Sequence, residues 1–350
     1  MTRQLLYIAW LVAAAACGSS PAHPRPDADD AALPDALAED APVDVAVDAP
    51  AQPPAMLDLS GAIAPVHDPA IITSVNGFYY VFSTGTGLPI HMSVYLHNWS
   101  DDGQVFATKP AWITTTSSSA PNDLWAPDVS SFGGQYHLYY AASTFGSNTS
   151  FIGHATTADI ETNAWLDQGP VICSTSADNW NAIDPLAVLD DQGQPWLVFG
   201  SFWSGIKLIK LDTTGARSGT EFYSLSTRNN TAVEAPYVVR HEGYYYLFES
   251  VDYCCMGVDS TYKIYVGRSV DLQGPYVDRD GVALLAGGGT PVVVGDDRWK
   301  GPGHNAILHT VVGDYDVYHS YDAQASGIPT LRIGQLSWSD VDGWPLSAGP

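Results

Sequence analysis

Acidic residues recur at spaced intervals along this chain, and each begins an apolar segment. The recurring positions are Asp68, Asp128, Asp184 and Glu234, with His304 in the fifth copy. Crowded carboxylates repel one another's charge, so one carboxyl keeps its proton to high pH and can act as an acid while another stays ionised as a base. Brought together, these side chains could perform the acid–base hydrolysis that a glycosidic bond requires.

A repeated segment must position these residues. Each copy has an apolar strand, a Gly-containing turn and a second strand rich in Tyr, Phe, Trp and Val, which is the pattern of a β-hairpin. The copies begin at His67, Ala126, Ile183, Glu234 and Gly303. Repeats of roughly 50 to 70 residues with several strands each are typical of β-propeller blades. Because the innermost strands of a propeller all face one channel, we expect the five positions to be equivalent and to converge there.

The rest of the pattern also favours strands. No segment keeps an apolar period of 3.6 residues, so the sequence predicts an all-β fold, a five-bladed β-propeller over residues 56–350. The predicted aromatic strands are Phe78–Ser83, Tyr136–Ala142, Trp196–Gly200, Tyr244–Phe248 and Tyr315–His319.

The N-terminal segment indicates export. A basic Arg3 and an apolar run precede Cys17, and the segment Ala-Ala-Ala-Cys at 14–17 resembles a bacterial lipoprotein processing box. This predicts a signal peptide over residues 1–16 and a lipid on Cys17, with an ordinary signal cleaved nearby as the alternative. The residues that follow are acidic and rich in Ala and Pro, which predicts an unfolded linker over residues 17–55. We expect the protein at the outer membrane or cell surface, or secreted if no lipid is added.

Charge and cysteine content narrow the possible partners. The net charge of −24 repels nucleic acid and anionic polymers, which favours a neutral or cationic substrate. We expect membrane contact only through a lipid on Cys17, and a monomer by default. The remaining cysteines are Cys173, Cys254 and Cys255, too few for a zinc site. The adjacent pair is either a vicinal disulfide or two buried thiols.

Loop residues near the acids suit a saccharide. Trp125, Phe145 and Trp203 lie beside the acids or in Gly- and Ser-rich loops, where a flat ring can stack on a sugar. Asn181 and Ser201 add neutral donors and acceptors that can bind hydroxyl groups. Each aromatic residue could equally fill the core between two blades.

A series of motifs gives the chain a family resemblance from about residue 58 to residue 345. The motifs are HDP at 67–69, LWAPDV at 124–129, STFGSN at 143–148, NAIDP at 181–185, FGSFWSGI at 199–206, EAPY at 234–237, CCMGVDSTYKI at 254–264, GPYVDRDG at 274–281, GGGT at 287–290 and GPGHN at 301–305. They resemble the endo-1,5-α-L-arabinanases of glycoside hydrolase family 43. The resemblance implies a five-bladed propeller and hydrolysis of the α-1,5-linked backbone of pectic arabinan with inversion of configuration.

The resemblance also implies roles for individual residues. Asp68 corresponds to the general base, Glu234 to the general acid, and Asp184 to the group that orients Glu234 and raises its pKa. Asp128 matches a motif of the family's binding surface and blade entry. In an inverting pair the Asp68 and Glu234 carboxyls should lie roughly 6.5–9.5 Å apart.

His304 matches a family histidine that faces a metal ion, usually calcium, held mostly by water in the central channel. From the residues alone, His304 would be a channel histidine with its hydrogen bonds satisfied. Calcium prefers oxygen ligands, so only the resemblance implies this ion.

Two other functions remain open at this stage. The same acids serve exo-acting arabinanases, α-L-arabinofuranosidases and β-xylosidases of this fold, and only the shape of the cleft separates them. A surface propeller that binds glycans without cleaving them is the other alternative, although such a protein would be expected to lose at least one of the three acids.

Overall fold

The computed structural model describes residues 54–116, 123–228 and 231–350. The predicted signal peptide, Cys17 and almost all of the predicted linker lie outside these residues. In chain order the strands of the described part are β1 (Ser60–Gly61), β2 (Ala70–Thr73), β3 (Tyr79–Phe82), β4 (Gly85–Thr86), β5 (Pro89–Ser93), β6 (Asn98–Gln104), β7 (Asp123–Phe132), β8 (Gln135–Ala142), β9 (Ser150–Thr157), β10 (Leu166–Ser174), β11 (Leu186–Leu189), β12 (Pro195–Phe199), β13 (Ile206–Lys210), β14 (Tyr223–Ser226), β15 (Val233–His241), β16 (Tyr244–Val251), β17 (Lys263–Ser269), β18 (Thr290–Val294), β19 (Trp299–Thr310), β20 (Gly313–Asp322), β21 (Ile328–Trp338) and β22 (Pro345–Ser347).

Helices are short in the described ranges. They are the α-helix α1 (Ala111–Thr116) and the 3₁₀ turns Ile160–Thr162, Gly257–Asp259, Leu284–Ala286 and Ala323–Ala325. None of them has the length and apolar character needed to cross a bilayer.

The strands form five sheets, which are the five blades. Their strand orders are β1-β6-β5-β3-β2, β10-β9-β8-β7-β4, β11-β12-β13-β14, β15-β16-β17-β18 and β19-β20-β21-β22. The innermost strands β2, β7, β11, β15 and β19 contact one another in succession, and β19 contacts β2 to close the ring. Near the start of the domain, Met56 bridges to Gly334 in the last blade, which joins the two ends. The five-bladed propeller predicted from the repeats is confirmed.

The aromatic strands of the repeats form the middle of the blades. Each middle strand contributes a fully buried aromatic ring, namely Phe82, Tyr140, Phe199, Phe248 and Tyr318. Tyr, Phe and Val suit a pleated surface that is buried on both faces, so these segments favour strands that stack blade against blade. This packing fixes the innermost strands around the channel.

Each innermost strand enters the channel through the same backbone kink. The five kink residues have positive φ angles, with Asp68 at 51°, Ala126 at 46°, Asp184 at 56°, Ala235 at 53° and His304 at 52°. Non-glycine residues rarely adopt this left-handed conformation. In the second, fourth and fifth blades the strand pairing shifts register at the kink, and such bulges change the direction of side chains beside active sites.

The kinks correct one part of the sequence prediction. The equivalent position in the second blade is Ala126, and Asp128 lies two residues farther along β7. In the fourth blade it is Ala235, and Glu234 directly precedes it. The expectation that all five recurring residues are structurally equivalent is therefore wrong, because the acid lies two residues after the kink in the second blade and one residue before it in the fourth.

Hydrogen bonds from the preceding blade hold four of the five kinks. The backbone N–H groups of four kink residues donate to polar side chains from the preceding blade. These bonds join Ala126 to Thr84 Oγ1 (2.8 Å), Ala235 to Asp184 Oδ2 (3.1 Å), His304 to Ser250 Oγ (2.8 Å) and Asp68 to His319 Nδ1 (3.1 Å). The kinks are thus held in place from one blade to the next.

Candidate active site

A groove of about 820 Å³ lies over the end of the channel where the kinks meet. Nine of the residues predicted from the sequence line it, namely Asp68, Trp125, Phe145, Asn181, Asp184, Ser201, Trp203, Glu234 and His304. The fold thus brings three acids and a histidine from different blades into one cavity.

Asp68 is buried and surrounded by hydrogen-bond donors. Thr84 Oγ1 donates to its Oδ2 at 2.6 Å, and His67 Nδ1 lies 2.8 Å from the same oxygen. His304 Nδ1 lies 3.1 Å from Oδ1. Burial alone would raise the pKa of Asp68, but the charges and hydrogen bonds of His67 and His304 hold it well below its usual range. Asp68 is therefore a carboxylate at neutral pH.

The pKa of Glu234 is shifted in the opposite direction from that of Asp68. Its Oε2 accepts a hydrogen bond from Ser201 Oγ and its Oε1 accepts one from Tyr262 Oη, both at 2.6 Å. Burial raises the pKa of Glu234, and the charge of Asp68 acts in the same direction against the hydrogen bonds of Ser201 and Tyr262. Of these two carboxyls, Glu234 is the one that retains a proton to higher pH.

Asp184 links the acid to the next kink. Its Oδ2 accepts the Ala235 N–H, which holds the backbone directly after Glu234. Burial raises the pKa of Asp184 well above its usual value, and the charges of Glu234 and Asp68 raise it further. Asp184 and Glu234 therefore titrate as a coupled pair.

His304 lies between the acids. Burial would lower its pKa, but Asp68, Asp184 and Glu234 raise it to about 9. Its Nδ1 contacts Asp68, and in the described part of the chain its Nε2 makes no hydrogen bond to protein. The three-residue group with metal-ligand spacing in the described ranges is His67, Asp68 and His319. Because Nδ1 faces Asp68, His304 could bind an ion only through Nε2, and only after that nitrogen has lost its proton.

The predicted sugar-binding residues differ in their exposure and in the hydrogen bonds that they already make. Phe145 is 79% exposed at the groove, so its ring face is free to stack. Trp125 and Trp203 are half-buried beside it. Asn181 is buried, and its Oδ1 already accepts a hydrogen bond from Ser150 Oγ. The hydroxyl of Ser201 donates a hydrogen bond to Glu234.

Asp128 is the predicted site residue that does not line the groove. Its Oδ2 accepts the Ala187 N–H in the third blade, and burial raises its pKa to about 7. The side chain connects two blades below the groove, so its placement does not support the expected contact with substrate.

Sequence reasoning missed several residues of the site. Thr84 follows the first aromatic strand, and Tyr262 lies inside a motif that the family resemblance had already marked. Cys254 and Cys255 form a vicinal disulfide, which is one of the two states that the sequence allowed. Both cysteines line the groove. His67 also had a usable signal, since it lies in the HDP motif directly before an acid.

Comparison with known proteins agrees with this geometry. The model of the family Glycosyl hydrolases family 43 matches residues 63–345. An extracellular endo-alpha-(1->5)-L-arabinanase of Bacillus subtilis is 45% identical over 80% of this chain and 87% of that protein. An extracellular exo-alpha-(1->5)-L-arabinofuranosidase of Cellvibrio japonicus is 40% identical over 80% of this chain and 85% of that protein.

The fold comparison gives the same family. The structure of a family 43 endo-arabinanase from Bacillus licheniformis matches with a TM-score of 0.79 and 47% identity, over 83% of this chain and 99% of that one. The family match spans the whole propeller, and the relatives share well over a third of its residues. This chain therefore belongs to glycosyl hydrolases family 43.

Proposed function

We propose that this enzyme cleaves the α-1,5-L-arabinofuranosidic bonds of arabinan within the chain and with inversion of configuration. The observation that carries the proposal is the contrast between Asp68, held as a carboxylate, and Glu234, whose pKa is raised in the same groove. The relatives named endo-arabinanases, at 45% and 47% identity, support the substrate and the endo mode.

The geometry supports a division of work between the two carboxyls. Asp68, as the general base, accepts a proton from a water molecule that attacks the anomeric carbon, while Glu234, as the general acid, gives its proton to the leaving glycosidic oxygen. Ser201 Oγ donates to the ionised Glu234 and can accept a hydrogen bond from the protonated carboxyl, because a hydroxyl both donates and accepts. Asp184 orients Glu234 by holding the backbone N–H directly after it, and the like charge of Glu234 raises the pKa of Asp184. The expected separation of about 6.5–9.5 Å between the Asp68 and Glu234 carboxyls stays a prediction.

The groove also supports the proposal of a channel calcium ion. Loss of the Nε2 proton from His304 would leave this nitrogen as a single protein ligand, so the site fits an ion that keeps most of its water. When bound, such an ion would supply positive charge that favours the ionised forms of nearby acids. Metal analysis of the purified protein tests this, with one calcium per chain expected in the native enzyme and none in His304→Ala.

Product analysis of the full chain on linear α-1,5-arabinan tests the proposed reaction. A rapid fall in viscosity, mixed oligosaccharides and initial β-anomers detected by NMR are expected, and Glu234→Gln should lose all three. Release of arabinose or one short oligomer alone would instead assign the exo mode named for the 40% identical relative. Binding without cleavage would make the protein a glycan-capture propeller.

Export is supported by the relatives that are named extracellular. We extend this to a monomeric enzyme anchored by a lipid on Cys17, with arabinan and its oligosaccharides as partners. Labelling cells with an alkyne-bearing fatty acid should mark the wild-type protein and not Cys17→Ser. An unlabelled wild-type protein in the medium would mean simple secretion.

A further inference from the structure

A continuous chain of polar contacts leads from the disulfide turn to the proposed general base. The backbone N–H of Cys255 donates to Tyr321 Oη at 2.8 Å. Tyr321 Oη lies 2.7 Å from His67 Nε2, and His67 Nδ1 lies 2.8 Å from Asp68 Oδ2. Tyr321 is 2% exposed, so water has little access to the middle of this chain.

Hydrogen-bonding capacity shows that the chain can be satisfied throughout. A carboxylate only accepts hydrogen bonds, so the short contact between Asp68 and His67 places a proton on Nδ1. Tyr321 Oη accepts the Cys255 N–H and keeps its own proton and a second lone pair. It can therefore bond to His67 Nε2 as donor or as acceptor.

The disulfide fixes the end of the chain. Cys255 has φ of 67°, which a non-glycine residue rarely adopts and which directs its N–H at Tyr321. Closing the ring between Cys254 and Cys255 restricts the turn to few conformations. The ring of His67 is also stacked on His319, with centroids 3.9 Å apart, so it is held from the side as well as at both nitrogens.

We propose that Tyr321 and the Cys254–Cys255 turn are positioning elements for the general base, because they fix the ring of His67, which in turn orients the carboxylate of Asp68. The proposal rests on the assignment of Asp68 as the base. Neither Tyr321 nor the turn needs to touch the reacting atoms for this effect. Small displacements of a catalytic group reduce the rate strongly, so about a 10- to 100-fold loss of kcat is expected when the chain is broken.

A competing role for the disulfide makes a different kinetic prediction. Cys254 and Cys255 line the groove beside the exposed Tyr253 and Met256. If the turn acts only as an apolar wall for the sugar, its loss should raise KM and leave kcat unchanged. The ratio of the two effects therefore separates positioning from substrate contact.

The experiment is a double-mutant cycle on the full chain with linear arabinan. The variants are Tyr321→Phe, the double variant Cys254→Ser with Cys255→Ser, and the three substitutions together. We expect kcat to fall about 10- to 100-fold in each with KM within about threefold, and the triple variant to lose no more than the worse of the other two. Such non-additivity follows when both changes break one chain.

Tyr139→Phe is the matched control. Tyr139 is fully buried and its hydroxyl donates to Gly215 O at 2.8 Å, away from the groove. It should lower the melting temperature much as Tyr321→Phe does and leave kcat unchanged. If the serine variant does not fold, the split between kcat and KM in Tyr321→Phe decides alone.

Three outcomes would overturn the proposal. They are full kcat in Tyr321→Phe, multiplicative losses in the triple variant, and a loss confined to KM. A failure of the proposed function looks different, since the wild type would then not cleave arabinan or Asp68→Asn would keep its activity.

Discussion

The second and third blades use the same kink for different purposes. Ala126 and Asp184 have φ angles of 46° and 56° and lie at the kinks of two innermost strands. Ala126 offers the channel only a methyl group, and its N–H is held by Thr84. Asp184 offers a carboxylate that holds the next kink and couples to Glu234. The repeat therefore supplies five equivalent backbone positions, and the side chain at each one decides whether it does chemistry.

The acid of the second blade lies two residues beyond its kink, and this displacement separates it from the site. Asp128 and Asp184 are both buried and both accept a backbone N–H from the next blade. Only Asp184 lines the groove. The two acids are alike in residue type and in burial and differ in whether they line the groove. Replacing each of them with asparagine therefore tests whether that difference matters.

Asp184→Asn should have the largest effect. Asparagine does not titrate, so the coupled titration with Glu234 is lost and the alkaline limb of the kcat/KM profile changes its position. We expect kcat to drop by about 100-fold or more. Steady-state kinetics across pH on linear arabinan measures both effects. An unmoved alkaline limb would remove Asp184 from the control of Glu234.

Thr84→Val should have the next largest effect, because Thr84 serves two kinks at once. Its Oγ1 donates to Asp68 and accepts the Ala126 N–H. We expect about a tenfold loss of kcat and about 1–3 kcal/mol of lost unfolding free energy, since a buried N–H is left without a partner. Kinetics and urea unfolding measure these changes, and Thr84→Ser should restore both. Normal kcat in the valine variant would mean that Asp68 does not depend on this bond.

Asp128→Asn should leave kcat within about threefold but change how stability depends on pH. The pKa of Asp128 is raised to about 7 in the folded protein, so the folded state holds the proton more tightly and its stability falls as pH rises from about 4 to 7. Between pH 4 and pH 8 the wild type should lose up to about 4 kcal/mol relative to the variant. Urea unfolding at several pH values measures this difference. Activity as low as that of Asp184→Asn would refute the distinction between the two acids.

Ala126→Gly should have the smallest effect. Glycine adopts a positive φ without the penalty of Cβ, but it also loses more entropy on folding. The two effects nearly cancel, so we expect unchanged kcat and an unfolding free energy within about 1 kcal/mol of the wild type. A thermal melt of both proteins measures it. A large destabilisation would mean that the packing of this buried methyl group outweighs the relief of backbone strain.

Much of the fold followed from local patterns. The aromatic strands predicted at Tyr136–Ala142 and Tyr244–Phe248 occur as β8 and β16, because runs rich in tyrosine and phenylalanine favour a pleated and buried strand. Hairpins need only neighbouring residues, so their turns are also readable from the sequence. The three acids were found because they recur in the same strand context.

The direction of each side chain relative to the channel was harder to predict from the sequence than the strands were. A bulge of one residue reverses the face to which later side chains point, and no composition signal marks its place in the strand. Asp128 was therefore grouped with the site although it lies outside the groove. The chain from Cys255 through Tyr321 and His67 joins residues up to 254 positions apart, so no local pattern predicts it.

The sequence by itself determined the repeat, the five blades and the acids available for hydrolysis, because short-range periodicity and turn chemistry specify hairpins that can only be buried by stacking. Only the tertiary structure decided which acids meet and which of them retains a proton. Those properties depend on burial and on charges that different blades bring within a few ångströms of one another. Both effects shift pKa values directly.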